Sequence, residues 1–343
     1  MKTLKKLILP AVCLAMLFGL AEQTEAIAEY LEKETNQEVI AEEMNGKQKS
    51  EEPIGKELCV TSSGEKKVAS ITNGEDRLWM LHSETGAQML SIVMQTKQGN
   101  LIVIDGGWEG DGTYLKKTLL EKGGHVSAWL LTHPHEDHIG ALYDILKTGG
   151  GGIAIDHIYE SFQTPGWYHS AQPDHEGMAG VLLSELDKLP AGVVVNDIGK
   201  GTEIRVDDVT IRVMNDRYEL PQNPVNNSSI VYQMKVNGKT LLFLGDLGYE
   251  GGERLLSENP GNALKADIVQ MAHHGQQGVG RDVYAAVDPQ ICLWPTPLFL
   301  WNNDNGGGIG SGPWKTLETR RWMNALHVKQ NYNIANGDVT LIL

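Results

Sequence analysis

The run His133-Pro134-His135-Glu136-Asp137-His138 places three imidazoles and an aspartate within six consecutive positions. Neutral imidazole together with carboxylate is the donor set that suits Zn²⁺. In extended backbone, residues two apart face the same side, so His133 and His135 can share one cation. Pro134 stiffens the link between them. Asp137 and His138 fall where the chain turns toward a helix, within reach of a second cation. A solvated loop gains nothing from such a composition, whereas the scattered His82, His125, His157 and His327 read as ordinary surface residues.

The elements around that run decide whether it can be completed. Apolar, strand-like stretches are expected over 88–96 and 101–105, joined at Gln98-Gly99-Asn100, and again over 126–131. Helical spacing over 114–122 stops at Gly123-Gly124, and a second helix is expected over 139–147. Strands follow over 153–159, 193–198 and 209–214, with a helix over 178–189. Asn237-Gly238 marks a hairpin between 230–236 and 240–244, and further strands are expected over 267–271, 291–293 and 339–343. Hairpins mixed with strand–helix–strand units imply mixed sheets covered by helices, an α/β architecture. Four acidic or imidazole clusters then sit at strand ends: Asp105, the run 133–138, Asp246, and His273-His274. In layered α/β proteins, such ends converge on a common rim.

Taken in order, these residues resemble the metallo-β-lactamase superfamily. Thr132 to His138 looks like its T-H-x-H-x-D-H signature. Asn226-Asn227-Ser228-Ser229, Leu244-Gly245-Asp246 and His273-His274-Gly275 are similar to the branch holding the ComEC-type hydrolase domain and the phosphorylcholine esterase. The resemblance, over about 76–343, implies a four-layer αββα sandwich with two metal ions at one edge. It implies His133, His135 and Asp246 on the first ion. Asp137, His138, Asp246 and one of His273 or His274 fall on the second. His274 is the favoured ligand, because in some relatives the ligand directly precedes glycine. Asp105 is then an acceptor that orients a ligand histidine. Many members supply a further His to the first ion just before the strand leading to Asp246. Here residues 223–228 contain none, and Asn227 is expected to hydrogen-bond substrate.

The expected chemistry is hydrolysis by a hydroxide that two cations activate, Zn²⁺ first and Mn²⁺ or Fe as alternatives. Asp137, His273 and Asn227 are expected to act on the reaction itself, with the non-ligand histidine of the 273–274 pair protonating the leaving group. A small-molecule or cell-surface polymer phosphoester is the favoured substrate. A lactonase or β-lactamase acting on a carboxyl centre is the alternative, as is an idle metal-bound binding module. Trp108, Trp167, Trp301 and Trp314 fall in expected loops, where they either cage a substrate or plug the ends of the sandwich.

The 343 residues carry a net charge of −15 and no basic cluster beyond the N-terminus, which argues against a long nucleic acid as partner. Lys2, Lys5 and Lys6 precede apolar residues 7–20, which reads as a secretory signal over 1–26. That stretch is shorter than the roughly 20 residues a span needs, so no stable membrane anchor is expected once the signal is removed. Export to the exterior or the cell surface follows. A polar, acidic linker is expected over 27–75 and a hydrolase domain over 76–343. Cys59 and Cys292 read as unpaired thiols, since nothing local favours a bridge between them.

Overall fold

A computed structural model describes residues 74–173 and 177–343. The signal segment, nearly all of the acidic linker, and Cys59 lie outside these residues.

Seven strands come first: β1 (Arg77–Met80), β2 (Ser91–Gln95), β3 (Leu101–Asp105), β4 (His125–Leu130), β5 (Ala154–Ile155), β6 (Ile158–Tyr159) and β7 (Val194–Val195). Then follow β8 (Glu203–Val206), β9 (Val209–Val213), β10 (Tyr232–Val236), β11 (Lys239–Phe243), β12 (Ile268–Gln270), β13 (Ile291–Trp294), β14 (Gln330–Asn333) and β15 (Val339–Ile342). One sheet runs β15-β1-β2-β3-β4-β6-β7, with β5 also on β4, and the other runs β14-β13-β12-β11-β10-β9-β8. Each sheet is antiparallel at one end and parallel at the other. In the first, β3 and β4 are parallel neighbours; in the second, β11 and β12 are.

The side chains explain the layering. On β2 and β3, Ile92, Met94, Ile102 and Ile104 face the second sheet, meeting Ile211, Met234, Leu241 and Phe243 in one buried cluster. Their neighbours Val93, Leu101 and Val103 point the other way, onto Leu115 of helix Gly112–Glu121 and Leu142 and Ile145 of helix Glu136–Lys147. The second sheet does the same with Leu242, Val269 and Cys292, which pack on Leu255 and Val283 of helices Tyr249–Glu258 and Arg281–Val287. Apolar residues on both faces of a strand mean that it is covered on both sides. The result is helix, sheet, sheet, helix.

Some elements escape the sequence pattern. The stretch 153–159 divides at Asp156-His157 into β5 and β6, because the His157 carbonyl accepts from Trp129 N at 2.8 Å. Helix Tyr249–Glu258 hides behind Gly251 and Gly252, which are poor helix formers. A Cβ at Gly252 would lie 2.9 Å from Val279 Cβ, so close packing on the neighbouring segment explains its presence. Cys292 is a free thiol, buried 3.5 Å from Met323 Sδ. Among the described residues, no helix is long and apolar enough to cross a membrane.

One contact sets the position of helix Glu136–Lys147. A Cβ added at Gly140 would fall 2.3 Å from Glu109 N and 2.7 Å from Trp108 C, both backbone atoms that cannot swing aside. Gly140→Ala should therefore lower stability by about 3 kcal/mol, the upper range for overpacking. Denaturant unfolding checks this. A variant within 0.5 kcal/mol of the parent, a margin typical of neutral surface changes, would show that the helix is not seated on that backbone.

Candidate metal centre

The clusters converge because each sheet contributes a parallel pair, and the C-terminal ends of both pairs meet at one edge. From β3 comes Asp105, fully buried, with φ 54. Its Oδ1 accepts from Thr132 N at 2.8 Å and its Oδ2 from Thr132 Oγ1 at 2.7 Å. His138 Nδ1 lies 2.7 Å from the same Oδ2. A carboxylate only accepts, so Nδ1 carries the proton and Nε2 is turned into the site. From β4 comes the histidine run, which is extended until His135 (φ −75, ψ 152) opens the helix. Asp137 and His138 then occupy its first turn.

The second sheet supplies the opposite wall. Asp246 follows Gly245, whose φ of 56 and close approach to Thr132 exclude a side chain. The Asp246 N–H donates to Ser229 Oγ at 3.1 Å. Gln270, buried at the end of β12, fastens this turn: its Oε1 accepts from Leu244 N and Gly245 N, and its Nε2 donates to Gly245 O. Beyond it, His273 and His274 adopt φ 50 and 52, two adjacent non-glycine residues in the left-handed region. That backbone costs free energy and persists where the surroundings enforce it. His273 N donates to Gly245 O at 3.1 Å. Gly275 lies so close to the Trp294 ring that an added Cβ would meet it at 2.4 Å. His274 Nδ1 donates to Pro295 O at 3.1 Å, which aims Nε2 inward.

Two donor groups result, His133 with His135 and Asp246, and Asp137 with His138 and His274. Within each, the donor atoms lie within 4.8 Å of one another. Asp246 Oδ2 is 3.3 Å from both His138 Nε2 and His274 Nε2, so it faces both groups. His274 Nε2 is also 3.1 Å from Asp137 Oδ2. Although so close, His138 Nε2, His274 Nε2 and Asp246 Oδ1 are buried without a hydrogen bond. Atoms gathered at this range but not aligned for hydrogen bonds fit a cation better than they fit each other. The electrostatics agree. Burial opposes charge on His138, but Asp246, Asp137 and Asp105 together hold it well above its usual range. His274 is likewise desolvated, yet Asp246 and Asp137 lift it to about 9. Burial works against Asp246 as well, and the surrounding imidazoles hold it far below the carboxylate range. The carboxylates thus demand positive charge, which protons or divalent cations can meet.

His273 stands apart from both groups. It is part-exposed, with Nε2 3.9 Å from Asp246 Oδ2 and 3.4 Å from Asn226 Nδ2. It lines a cleft of roughly 260 Å³ together with Gln88, Trp108, Gln172, Asn226 and the donors His135, Asp137 and Asp246.

One expectation needs correcting, and one open alternative is narrowed. Asn227 does not offer its amide to a substrate. It is buried, its Oδ1 accepts from Gly248 N and Gly251 N at 2.9 and 3.1 Å, and its Nδ2 donates to Gln222 O. It braces the first turn of helix Tyr249–Glu258, leaving Asn226 to face the cleft. The tryptophans do not form a common cage either. Trp301 ends a short helix, is buried edge-to-face on Trp294, and lies under the Arg320 guanidinium. Trp167 lies on helix Pro165–Ala171 against Tyr168, and Trp314 packs on Phe299. Of these four, only Trp108 borders the cleft, held by its indole N–H on Gln88 O.

The sequence assigns no role to Gln88 or Gln270, and Asn226 stands in it only as part of the Asn226–Ser229 motif. Gln270 carries the one detectable signal, an amide inside an apolar run, whereas Gln88 resembles any strand-edge glutamine. Its Nε2 donates to Asp137 Oδ2 at 3.2 Å, and its Oε1 accepts from Gln276 Nε2 at 3.1 Å, which links the two walls.

Residues 85–283 match the sequence family described as the metallo-beta-lactamase superfamily. ComE operon protein 3 of Bacillus subtilis (strain 168) is 26% identical over 169 residues, 49% of this chain and 20% of that protein. The chain thus spans about a fifth of that relative's length. Among solved structures, the metallo-beta-lactamase fold protein YhfI from Bacillus subtilis superposes with a TM-score of 0.49 at 10% identity, covering 78% of this chain and 100% of YhfI. Zn(2+)-bound PqqB from Methylobacterium extorquens gives a TM-score of 0.40 at 14% identity, over 75% of this chain and 87% of PqqB.

Two outcomes follow from the bonding around the centre. Asp105→Asn keeps the shape but turns an amide N–H toward His138 or Thr132, which favours the tautomer whose proton sits on Nε2. The Asp137–His138–His274 group should then bind its cation about 10–100-fold more weakly, as read by competition with a chelator. Unchanged affinity would remove the orienting role. Asn227→Ala should cost about 1–3 kcal/mol of stability with metal stoichiometry unaltered. Undiminished stability with lost turnover would return Asn227 to the substrate.

Proposed function

The chain belongs to the metallo-beta-lactamase superfamily, and on that premise we propose that it is an exported metal-dependent hydrolase acting on phosphoesters, with zinc as its first-choice metal. One observation carries the substrate class. Beside Trp108 and Glu136, the wall of the cleft over the two donor groups carries the side-chain amides of Gln88, Gln172 and Asn226. A phosphoryl group presents several oxygens that want such donors, whereas a lactam or lactone ring would need apolar wall. The basic start and apolar stretch of the N-terminus support export, and a small ester or a cell-surface polymer ester would then be within reach.

Divalent cations held by the two groups would acidify a water and offset negative charge developing on the attacked centre. The chain's own part is to place them and to move protons. Asp246 faces both groups and sets their spacing. Gln88 steadies Asp137 through its Nε2. Gln172, on the same cleft, would offer its amide N–H to the phosphoryl oxygens. His273, beside the donors but outside both groups, is placed to give a proton to the departing alkoxide oxygen.

Purified protein should turn over bis-(p-nitrophenyl) phosphate, lose that activity on chelation, and leave a chromogenic cephalosporin intact. Faster cephalosporin hydrolysis would overturn the substrate class. His273→Ala should retain its metal yet lose about 10²–10⁴ in rate on an alkyl ester, whose leaving group needs a proton. On a p-nitrophenyl ester the loss should be far smaller. Equal losses on both esters would exclude His273 as the acid.

A further inference from the structure

The second sheet carries a cavity of roughly 290 Å³ that belongs to neither donor group. Ile211 and Met234 face the first sheet, so alternation along β9 and β10 turns Arg212, Gln233 and Lys235 outward. The cavity lies on that outer face, at the end of β11 remote from Asp246, since Thr240 lines it and Asp246 follows the far end of the strand. Lys200, Arg212, Lys235 and Lys265 all line it, and none of its lining residues is acidic. In a chain with 44 acidic residues against 29 basic ones, that is a marked local reversal of sign. Two of the cations are engaged: Lys200 Nζ donates to Glu258 O, and Lys265 Nζ is 3.0 Å from Asp288 Oδ2. Among the described residues, the side chains of Arg212 and Lys235 make no hydrogen bond or ion pair. The carboxylates of the surrounding elements are committed elsewhere. Glu203 stands opposite Arg212 in the strand register but lies 3.6 Å from Arg205. Glu258 holds Arg254, Asp216 accepts from Lys200 N, and Asp267 accepts from Thr240 N.

We infer that this cavity is an anion site, in which Arg212 and Lys235 together clasp a single phosphate-type oxyanion group, free or carried on a polymer. Arg212 pairs with Gln233 across the strands, which makes Lys235 its diagonal neighbour on the same face, roughly 7–8 Å away. Two unneutralised like charges at that range repel, and an anion between them turns the repulsion into attraction. The guanidinium offers a planar fork and the ammonium a point charge, a pairing suited to a tetrahedral oxyanion. A volume at the small end of ligand pockets suits one such group. The net charge of −15 opposes a long polyanion laid along the whole surface. The site stands independently of any cation at the donor groups.

The test titrates the full-length protein by calorimetry with inorganic phosphate and, separately, with dextran sulfate, at low ionic strength where surface charge is least screened. Arg212→Gln and Lys235→Gln should each weaken binding by about tenfold or more, the loss of one charge-assisted contact, with the melting temperature unchanged. Lys188→Gln removes the same charge from an exposed lysine on helix Gly177–Leu186 and its C-terminal turn, where it pairs with Glu185, and should bind as the parent does. Binding of both probes means that the free ion suffices, and binding of dextran sulfate alone means that the group must be carried on a polymer; either upholds the site. It is overturned if the parent binds neither probe, or if either Arg212→Gln or Lys235→Gln binds as the parent does. It is also overturned if Lys188→Gln weakens binding as much, since net charge alone would then be responsible. Should one of the two cavity variants fail to fold, the other decides. Phosphate binding that survives both substitutions would lie elsewhere on the chain, and would leave the reading of the donor groups untouched.

Discussion

The buried carboxylate of Asp105 is the constraint on which the centre depends. It has no solvent to stabilise its charge, so every acceptor position must be used by the protein. Thr132 uses it twice, once from the backbone and once from the hydroxyl, and His138 uses it once. Those bonds fix where the chain leaves β4, which ring nitrogen of His138 carries the proton, and how the first helical turn sits. The main-chain oxygen of Asp105 is also occupied, by Trp129 Nε1 at 2.8 Å. Through this one side chain, the end of β3 determines what the end of β4 can present.

The second wall solves a similar problem with a neutral group. Gln270 has both donors and acceptors, and it binds the Leu244–Gly245 turn and Met271 at once. Asp246 and the strained His273–His274 segment are therefore fastened to each other before any ligand is considered. The walls are then joined above by Gln88 with Gln276 and below by Tyr232 Oη, which donates to Leu131 O at 2.7 Å. Rigid support of this kind is what holds several like charges at close range.

Much of this was legible in the sequence, and the reasons are local. The histidine run, Asp105, Asp246 and the His273-His274 pair stand at strand ends that hydrophobic runs and glycines mark clearly. The layering follows from β2 and β3, which are apolar on both faces. What was not legible depends on contacts between distant residues. Asn226 and Asn227 are adjacent and identical in type, and only the tertiary fold assigns one to the cleft and the other to helix Tyr249–Glu258. Trp301 looks like a rim residue until Trp294 and Arg320 enclose it. β1, β8 and β14 are short, and β8 and β14 are rich in polar residues, so their pairing partners, rather than their own patterns, make them strands.

The two walls are separated in the chain as well as in space. A nascent segment ending before β11 would contain His133, His135, Asp137 and His138 but neither Asp246 nor His274. Neither donor group can be completed from the first half alone. Cation capture would thus wait on docking of the two sheets. Once captured, ions would act as a clasp that favours the assembled state by mass action.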